Sequence, residues 1–249
     1  MTSILCRLLL GLSCLIGPGL SAAEITLLGS QAVSALLEEL GPAYEQASGD
    51  KLRVVIGVSN NLKNEIEAGA PFDVTILSAA MIDELEKDGK LAAGSRRDLA
   101  RSGIGLAVRA GAAKPDLSSA ESLKKTLLAA DGVAFVNIGA SGVYFRQMIQ
   151  DMGIGEAMEP KLHPLASGRA AELVARGEAQ YAIQQISEIL PVKGAELVGP
   201  LPPELQLYTI FSGAIGKEAK NPAGAKALLD FLAAPERAPV IRTKGMEPG

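Results

Sequence analysis

Segments typical of strands alternate with segments typical of helices along most of this 249-residue chain, and this alternation limits the possible folds most. The apolar side chains in residues 24–29 predict the first strand. Residues 31–47 carry apolar side chains at helical spacing and predict the first helix, which ends at Gly49. The β-branched run 52–58 predicts the next strand, a buried one. Because parallel strands need a crossover, usually a helix, the alternation predicts an α/β fold with parallel sheets covered by helices on both faces.

The same pattern continues to the end of the chain. Further strands are predicted at 74–77, 104–108, 133–138, 161–165, 181–185, 196–198 and 207–215. Further helices are predicted at 60–68, 79–88, 143–152, 169–176 and 222–232. Residues 114–119, which include Pro115 and two serines, are predicted to be a loop where the chain passes from one lobe to another.

The N-terminal segment is typical of a secretory signal peptide. Arg7 precedes an apolar run at 8–20, and the small residues Ser21-Ala22-Ala23 follow. The run is shorter than the roughly 20 residues of a membrane-spanning helix. We expect cleavage near Ala23 and a soluble periplasmic protein, whereas a lipid anchor on Cys14 is disfavoured because Gly11 stands where an aliphatic residue is usual. Since both cysteines would be removed with residues 1–23, no disulfide is expected.

Composition and motifs exclude several classes of function. The formal net charge is −4, from 24 basic and 28 acidic residues, which argues against nucleic acid as a partner. The single histidine, His163, precedes Pro164 without a catalytic motif, and we interpret it as a surface or strand-end residue. Gly103-Ile104-Gly105 lacks the third small residue of a dinucleotide fingerprint, and no phosphate-binding Gly-Lys-Ser/Thr loop or nucleophile elbow occurs. We therefore predict no cofactor and no metal.

Five predicted strand-to-helix junctions carry a serine. In each single case a helix cap, with a stabilising effect of about 1 kcal/mol, is the simpler explanation. Together the serines indicate a ligand-binding site, because ligands of open α/β sheets bind at the carboxyl ends of strands. Helix N-termini at that edge offer free N–H groups and partial positive charge to an anion. The five are Ser30, Ser59, Ser78, Ser141 and Ser167.

The order of these segments resembles the periplasmic solute-binding proteins of the molybdate-binding type, the receptors of ABC importers. The resemblance covers residue 24 to the C-terminus, and its most specific stretch is 66–74 (IEAGAPFDV). Further matching segments are Gly29-Ser30, 58–62 (VSNNL), 141–144 (SGVY) and 168–179 (GRAAELVARGEA). It implies the type II periplasmic-binding-protein fold, with two mostly parallel α/β lobes joined by two crossing strands.

The resemblance also implies where the lobes and the ligand lie. Lobe one is expected at 24–102 with 212–249, and lobe two at 103–211, with a small anion bound in the cleft between them. Such receptors act as monomers and deliver their ligand to a membrane permease. The expected ligand-binding residues are Ser30, Ser59, Asn60, Ser78, Ser141, Gly142, Gly168, Arg169 and Gln185.

Departures from the molybdate receptors favour a divergent branch, which includes the aconitate isomerases. Gln185 stands where those receptors carry a tyrosine, and Ser141 replaces an alanine. The Gln185 amide and the Arg169 guanidinium suit a small organic carboxylate better than molybdate. Two functions stay open, a receptor for a small anion and an isomerase that moves a proton on a tricarboxylate. The cleft candidates Tyr144, Arg146, Arg169, Gln184 and Gln185 include no carboxylate or histidine, which favours the receptor.

Overall fold

The computed structural model of the protein describes residues 23–249, so that residues 1–22, with most of the predicted signal peptide and both cysteines, lie outside the described residues. The described residues form ten strands: β1 (Glu24–Ser30), β2 (Lys51–Gly57), β3 (Val74–Ser78), β4 (Arg97–Arg109), β5 (Val133–Val136), β6 (Leu162–Leu165), β7 (Tyr181–Gln185), β8 (Ala195–Pro200), β9 (Tyr208–Ile215) and β10 (Glu247–Pro248). The same part of the chain, 23–249, contains ten α-helices: α1 (Ser34–Ser48), α2 (Ser59–Glu67), α3 (Ala79–Lys87), α4 (Ala120–Ala129), α5 (Ala140–Asp151), α6 (Gly155–Met158), α7 (Ala170–Arg176), α8 (Ile186–Ile189), α9 (Pro222–Ala233) and α10 (Ala238–Thr243). Within residues 23–249, no helix combines the length and the apolar character that a membrane crossing requires.

The strands form a connected sheet in the order β2-β1-β3-β9-β4-β7-β5-β6. On one side β1 pairs in parallel with β2 and β3, and on the other β5 pairs in parallel with β6 and β7. The central strands β4 and β9 run antiparallel to their neighbours. The predicted α/β fold with helices flanking the sheet is therefore confirmed, with parallel pairing towards both ends of the sheet and antiparallel pairing around β4 and β9.

The buried apolar side chains segregate into two regions along this sheet. Two clusters draw on residues 25–100 and 211–246, and two others draw on residues 104–201. Strand β4 passes from one region to the other, giving Leu99 to the first and Ile104 to the second. The expected lobe boundaries, at 102/103 and 211/212, fall inside β4 and β9 and stay a prediction.

Strand β2 is less buried than its β-branched sequence predicted. It is the edge strand beside β1, and Val54 and Ile56 are 38% and 36% exposed. An edge strand has a neighbour on one side only, so its side chains are covered incompletely. The expectation of a buried strand at 52–58 was therefore wrong.

The most family-specific stretch of the sequence ends in a structural carboxylate. Asp73 is buried, and its Oδ2 accepts a hydrogen bond from the backbone N–H of Thr26, 2.8 Å away. Its Oδ1 accepts from the backbone N–H groups of Lys220 and Asn221, just before α9. Asp73 thus ties β1 to the start of α9, which explains this acidic residue without a role in ligand binding.

Candidate functional site

A cavity of about 30 Å³ lies between the two regions of the sheet, at the carboxyl ends of their strands. Residues from both regions line it: Ser30, Gln31, Ala32, Val58, Ser59, Val136, Gly139, Ala140, Ser141, Gly168, Gln185, Glu188 and Phe211. Strands β1, β2, β5, β6 and β7 all lead into this lining. The cavity is large enough for ordered water. A ligand as long as a tricarboxylate requires the two regions to separate.

Three serine hydroxyls surround the cavity, and only one of them caps a helical turn. Ser30 Oγ accepts from the N–H of Ala32 at 3.4 Å, a long cap contact. Ser59 Oγ donates to Ser30 Oγ at 2.9 Å across the ends of β1 and β2. Ser59 opens α2 and Ser141 is the second residue of α5, and neither hydroxyl acts as the N-cap of its helix. These hydroxyls and the nearby helix N-termini are suited to an anion.

Gln185, the last residue of β7, offers an amide to the same cavity. It is 3% exposed, and its Nε2 donates to Thr209 Oγ1 at 2.9 Å. Its Oε1 is buried without a partner among the described residues. Because a threonine hydroxyl both donates and accepts, the amide can rotate by half a turn and present N–H groups instead. Gln185 can therefore form a hydrogen bond with either a donor or an acceptor group of a ligand.

Glu188 is an ionisable lining residue of the cavity that the sequence analysis did not single out. It lies in the single turn of α8, lines the cavity and is 8% exposed. Burial raises the pKa of its carboxyl to about 7, an effect that the Arg169 guanidinium and the Gln184 side chain partly offset. The expectation that the cleft contains no carboxylate was therefore wrong. The only signal in the sequence was its position three residues after Gln185, one helical turn away.

Two hydrogen bonds join the regions on either side of the cavity. Asn60 Nδ2, in α2, donates to the carbonyl oxygen of Ile138 at 2.7 Å. Arg169, before α7, donates from Nη2 to Ser34 Oγ at 2.8 Å. Both bonds therefore connect the two sides of the cleft.

The structure brings together five of the nine residues expected to bind the ligand. Ser30, Ser59, Ser141, Gly168 and Gln185 line the cavity. Asn60 and Arg169 span the cleft beside it, through the two bonds just described. The remaining two, Ser78 and Gly142, are not among the lining residues.

Gly142 has a packing reason to be glycine. A Cβ there would lie 1.9 Å from the carbonyl oxygen of Val136, so α5 can approach the end of β5 only without a side chain. Ser78 precedes α3 without a side-chain cap bond, and Ser167 is exposed.

The other cleft candidates make contacts elsewhere. Tyr144 Oη donates to the carbonyl oxygen of Leu205 at 2.9 Å. Arg146 donates to Asn137 Oδ1 at 2.8 Å. His163 is exposed in β6, which agrees with its interpretation as a surface or strand-end residue. Residues 23–249 contain no group of three or more histidine, cysteine or acidic side chains arranged to hold a metal ion.

Comparisons with known proteins agree with this fold. The family model described as "Bacterial extracellular solute-binding protein" matches residues 25–247. An aconitate isomerase from Pseudomonas sp. is 36% identical over 230 residues, which cover 90% of this chain and 87% of that protein. The molybdate-binding protein ModA of Azotobacter vinelandii is 28% identical over 232 residues, 90% of each chain. The solved structure of an A. vinelandii periplasmic molybdate-binding protein superposes with a TM-score of 0.77 at 19% identity, covering 90% of this chain and 99% of the other.

Proposed function

The chain belongs to the bacterial extracellular solute-binding proteins, and from this premise we propose that it captures a small anion in the cavity between β1–β3 and β5–β7. In this proposal the protein is exported to the periplasm with cleavage near Ala23, and it passes its ligand to the permease of an ABC importer. The family and its molybdate-binding relatives support the proposal.

One observation carries it: a small cavity lined by serine hydroxyls from both regions of the molecule. Ser30 and Ser59 come from one region and Ser141 from the other, so a bound anion would be held between them. The N-termini of α2 and α5 add free N–H groups at the same place. Such a site binds an anion through neutral donors, and its affinity depends on closure around the ligand.

We also propose that closure is a movement of two lobes, 24–102 with 212–249 and 103–211. The two segments that pass between them belong to β4 and β9, which pair with each other along the middle of the sheet. The bonds of Asn60 and Arg169 across the cleft would open and close with each binding cycle.

Within this class we propose a small organic carboxylate as a better ligand than molybdate. The aconitate isomerase is more similar in sequence, at 36% identity, than the molybdate receptor at 28%. Gln185 can donate two N–H groups to a carboxylate, and the Arg169 guanidinium lies close enough to act on the charge of Glu188. A longer ligand needs a wider cleft than the present cavity of about 30 Å³.

A thermal-shift panel of anions tests this proposal. Ligand at about 100 times Kd stabilises the protein by about 2.7 kcal/mol. For a protein of this size this corresponds to a rise in Tm of roughly 5–10 °C. We expect citrate, aconitate, tricarballylate or malonate to produce such a shift, and molybdate, tungstate and sulfate a smaller one. A large shift with molybdate and none with the carboxylates would contradict the choice of carboxylate. No shift with any of these anions would contradict the proposed function.

A second function, isomerisation of aconitate, is favoured by Glu188. A carboxyl with a pKa of about 7 in the cavity can accept a proton from carbon and return it near neutral pH. It would remove a proton from the methylene carbon of aconitate, the double bond would shift, and a proton would return to the former vinyl carbon. The sequence alone indicated no such group, and the 36% identity to an aconitate isomerase supports the same chemistry.

Incubation with cis- or trans-aconitate in D₂O separates the two functions. An isomerase interconverts the two isomers and exchanges carbon-bound protons for deuterium, which NMR detects. We expect Glu188→Gln to lose this turnover while a carboxylate still raises its Tm. If the wild-type protein binds aconitate but neither converts nor deuterates it, it is a receptor only.

A further inference from the structure

Glu188 presents a problem of charge for any anion in the cavity. It is the only ionisable side chain among the described residues that line the cavity. Its carboxyl is almost completely buried. An anion enclosed beside an ionised Glu188 would place like charges together where solvent screens them little. The site therefore has to remove one of the two negative charges.

A single cation among the described residues lowers the pKa of this carboxyl. Arg169 is the only described residue whose charge acts on the pKa of Glu188. Its Nη2 is held by Ser34 Oγ, and its Nε is buried without a partner among the described residues. One guanidinium can compensate either the ionised Glu188 or a bound anion, but not both. The other neighbours of Glu188, Gln184 and Gln185, are uncharged and compensate neither negative charge.

Other ionisable groups on the elements near α8 do not alter this balance. Most of these groups lie at the protein surface or in other ion pairs, and Tyr181 lies at the opposite end of β7. None of them acts on the pKa of Glu188. These groups are Glu38, Glu39, Arg97, Asp98, Arg101, Arg109, Glu172, Arg176, Tyr181, Lys193, Glu196 and Lys244.

We propose that Glu188 binds a proton from solvent when the cavity closes on an anion, and that the resulting carboxylic acid donates a hydrogen bond to that anion. The inference rests on the proposed anion-binding function and adds a proton to it. A neutral Glu188 leaves Arg169 free to compensate the anion. It also adds a donor to the hydroxyls of Ser30, Ser59 and Ser141.

The proposal assigns a pH dependence to binding. Burial, partly offset by Arg169 and Gln184, already raises the pKa of Glu188 to about 7, and an anion beside it would raise this pKa further. Above that pH the free protein has to take up a proton before it can bind, so affinity falls about tenfold for each further pH unit. A variant without this carboxyl would bind the anion with the same affinity across this pH range.

Calorimetry on the full mature protein tests this with two probes, molybdate and tricarballylate, which are essentially fully ionised above a pH of about 7. Titration in buffers with different ionisation enthalpies gives the number of protons taken up per anion. At a pH of about 8.5 we expect a value close to one for the wild-type protein. We expect a value close to zero for Glu188→Gln. The exposed Glu65→Gln serves as the matched control and should behave like the wild-type protein.

The outcomes separate the two proposals. If a probe binds with no proton uptake and with an affinity that stays constant with pH, the proton proposal is wrong and the anion site stands. If Glu188→Gln retains the pH dependence of the wild-type protein, another group binds the proton and the assignment to Glu188 is wrong. If neither probe binds at any pH while the protein remains folded, the proposed function and the inference both fail.

Discussion

Replacing Glu188 by glutamine should stabilise the ligand-free protein at alkaline pH and leave it almost unchanged in acid. In the unfolded chain this carboxyl titrates near its ordinary value of 4.5, and in the folded chain near 7. Below both values the two states bind the proton equally. Between them the unfolded chain loses the proton and the folded chain keeps it, so the free energy of unfolding falls as pH rises.

The size of this effect follows from the separation of the two pKa values. One pH unit of separation corresponds to about 1.4 kcal/mol, which gives a destabilisation of about 3 kcal/mol above pH 7. Glutamine has almost the same shape and no charge, so Glu188→Gln should recover most of this free energy. For a protein of this length the gain corresponds to a rise in Tm of roughly 6–12 °C.

Urea unfolding of the wild-type protein and of Glu188→Gln, measured from about pH 4.5 to pH 8.5, tests the prediction. The difference between their free energies of unfolding should grow across this interval, because every other titrating group contributes to both proteins alike. Glu65→Gln, at an exposed position of α2, controls for the loss of a negative charge. A difference that stays constant across the interval would refute the argument from burial.

Three further predictions test the lining of the cavity and its packing. Ser59→Ala should reduce the Tm shift of a bound anion by several degrees, because it removes a hydroxyl from the cavity. Ser78→Ala, the same change at a junction outside the lining, should leave the shift intact; equal effects of both would contradict the assignment. Gln185→Tyr restores the residue expected in a molybdate receptor, and should increase the response to molybdate relative to tricarballylate; an unchanged ratio in the thermal-shift panel would remove Gln185 from the determinants of specificity. Gly142→Ala should destabilise the protein by about 1–3 kcal/mol in urea, because its Cβ would collide with the carbonyl oxygen of Val136; a wild-type stability would show that α5 shifts freely.

The sequence predicted the part of the fold that local patterns encode. Glycines at helix ends were informative, because Gly49 and Gly177 adopt positive φ angles of 82° and 77° after α1 and α7. This conformation is unfavourable for residues with a Cβ, so the glycine itself marks the end of the helix. Helix α4 was missed, although Ser119 caps it and Leu123 and Leu127 are buried at helical spacing.

The strand order could not be predicted from local patterns. Strand β2 carries a β-branched sequence typical of a buried strand, but it lies at the edge of the sheet. Its burial depends on which strands pair beside it, and those partners are distant in the chain. Periodicity does not contain this information.

The candidate site was predictable in part, because Ser78 ends the parallel strand β3 and was expected at the site but does not line the cavity. Ser30, Ser59, Ser141 and Gln185 were expected at one edge, and they line one cavity. Glu188 was not expected, because a helix of four residues has too few positions to establish a periodicity. Glu188 reaches the lining of the cavity because α8 begins directly at the end of β7.

The pairing of β3 with β9 has a consequence for the order in which the chain can fold. Val74 in β3 lies opposite Ile215 in β9. Strand β3 therefore lacks this partner until almost the whole chain has left the ribosome. Contacts between segments so far apart in the chain form slowly, because the long loop between the segments must first be closed at a cost in entropy. An N-terminal fragment therefore cannot complete its own sheet during synthesis. The nascent polypeptide should stay unfolded long enough to be threaded through a translocation pore, as the proposed export requires.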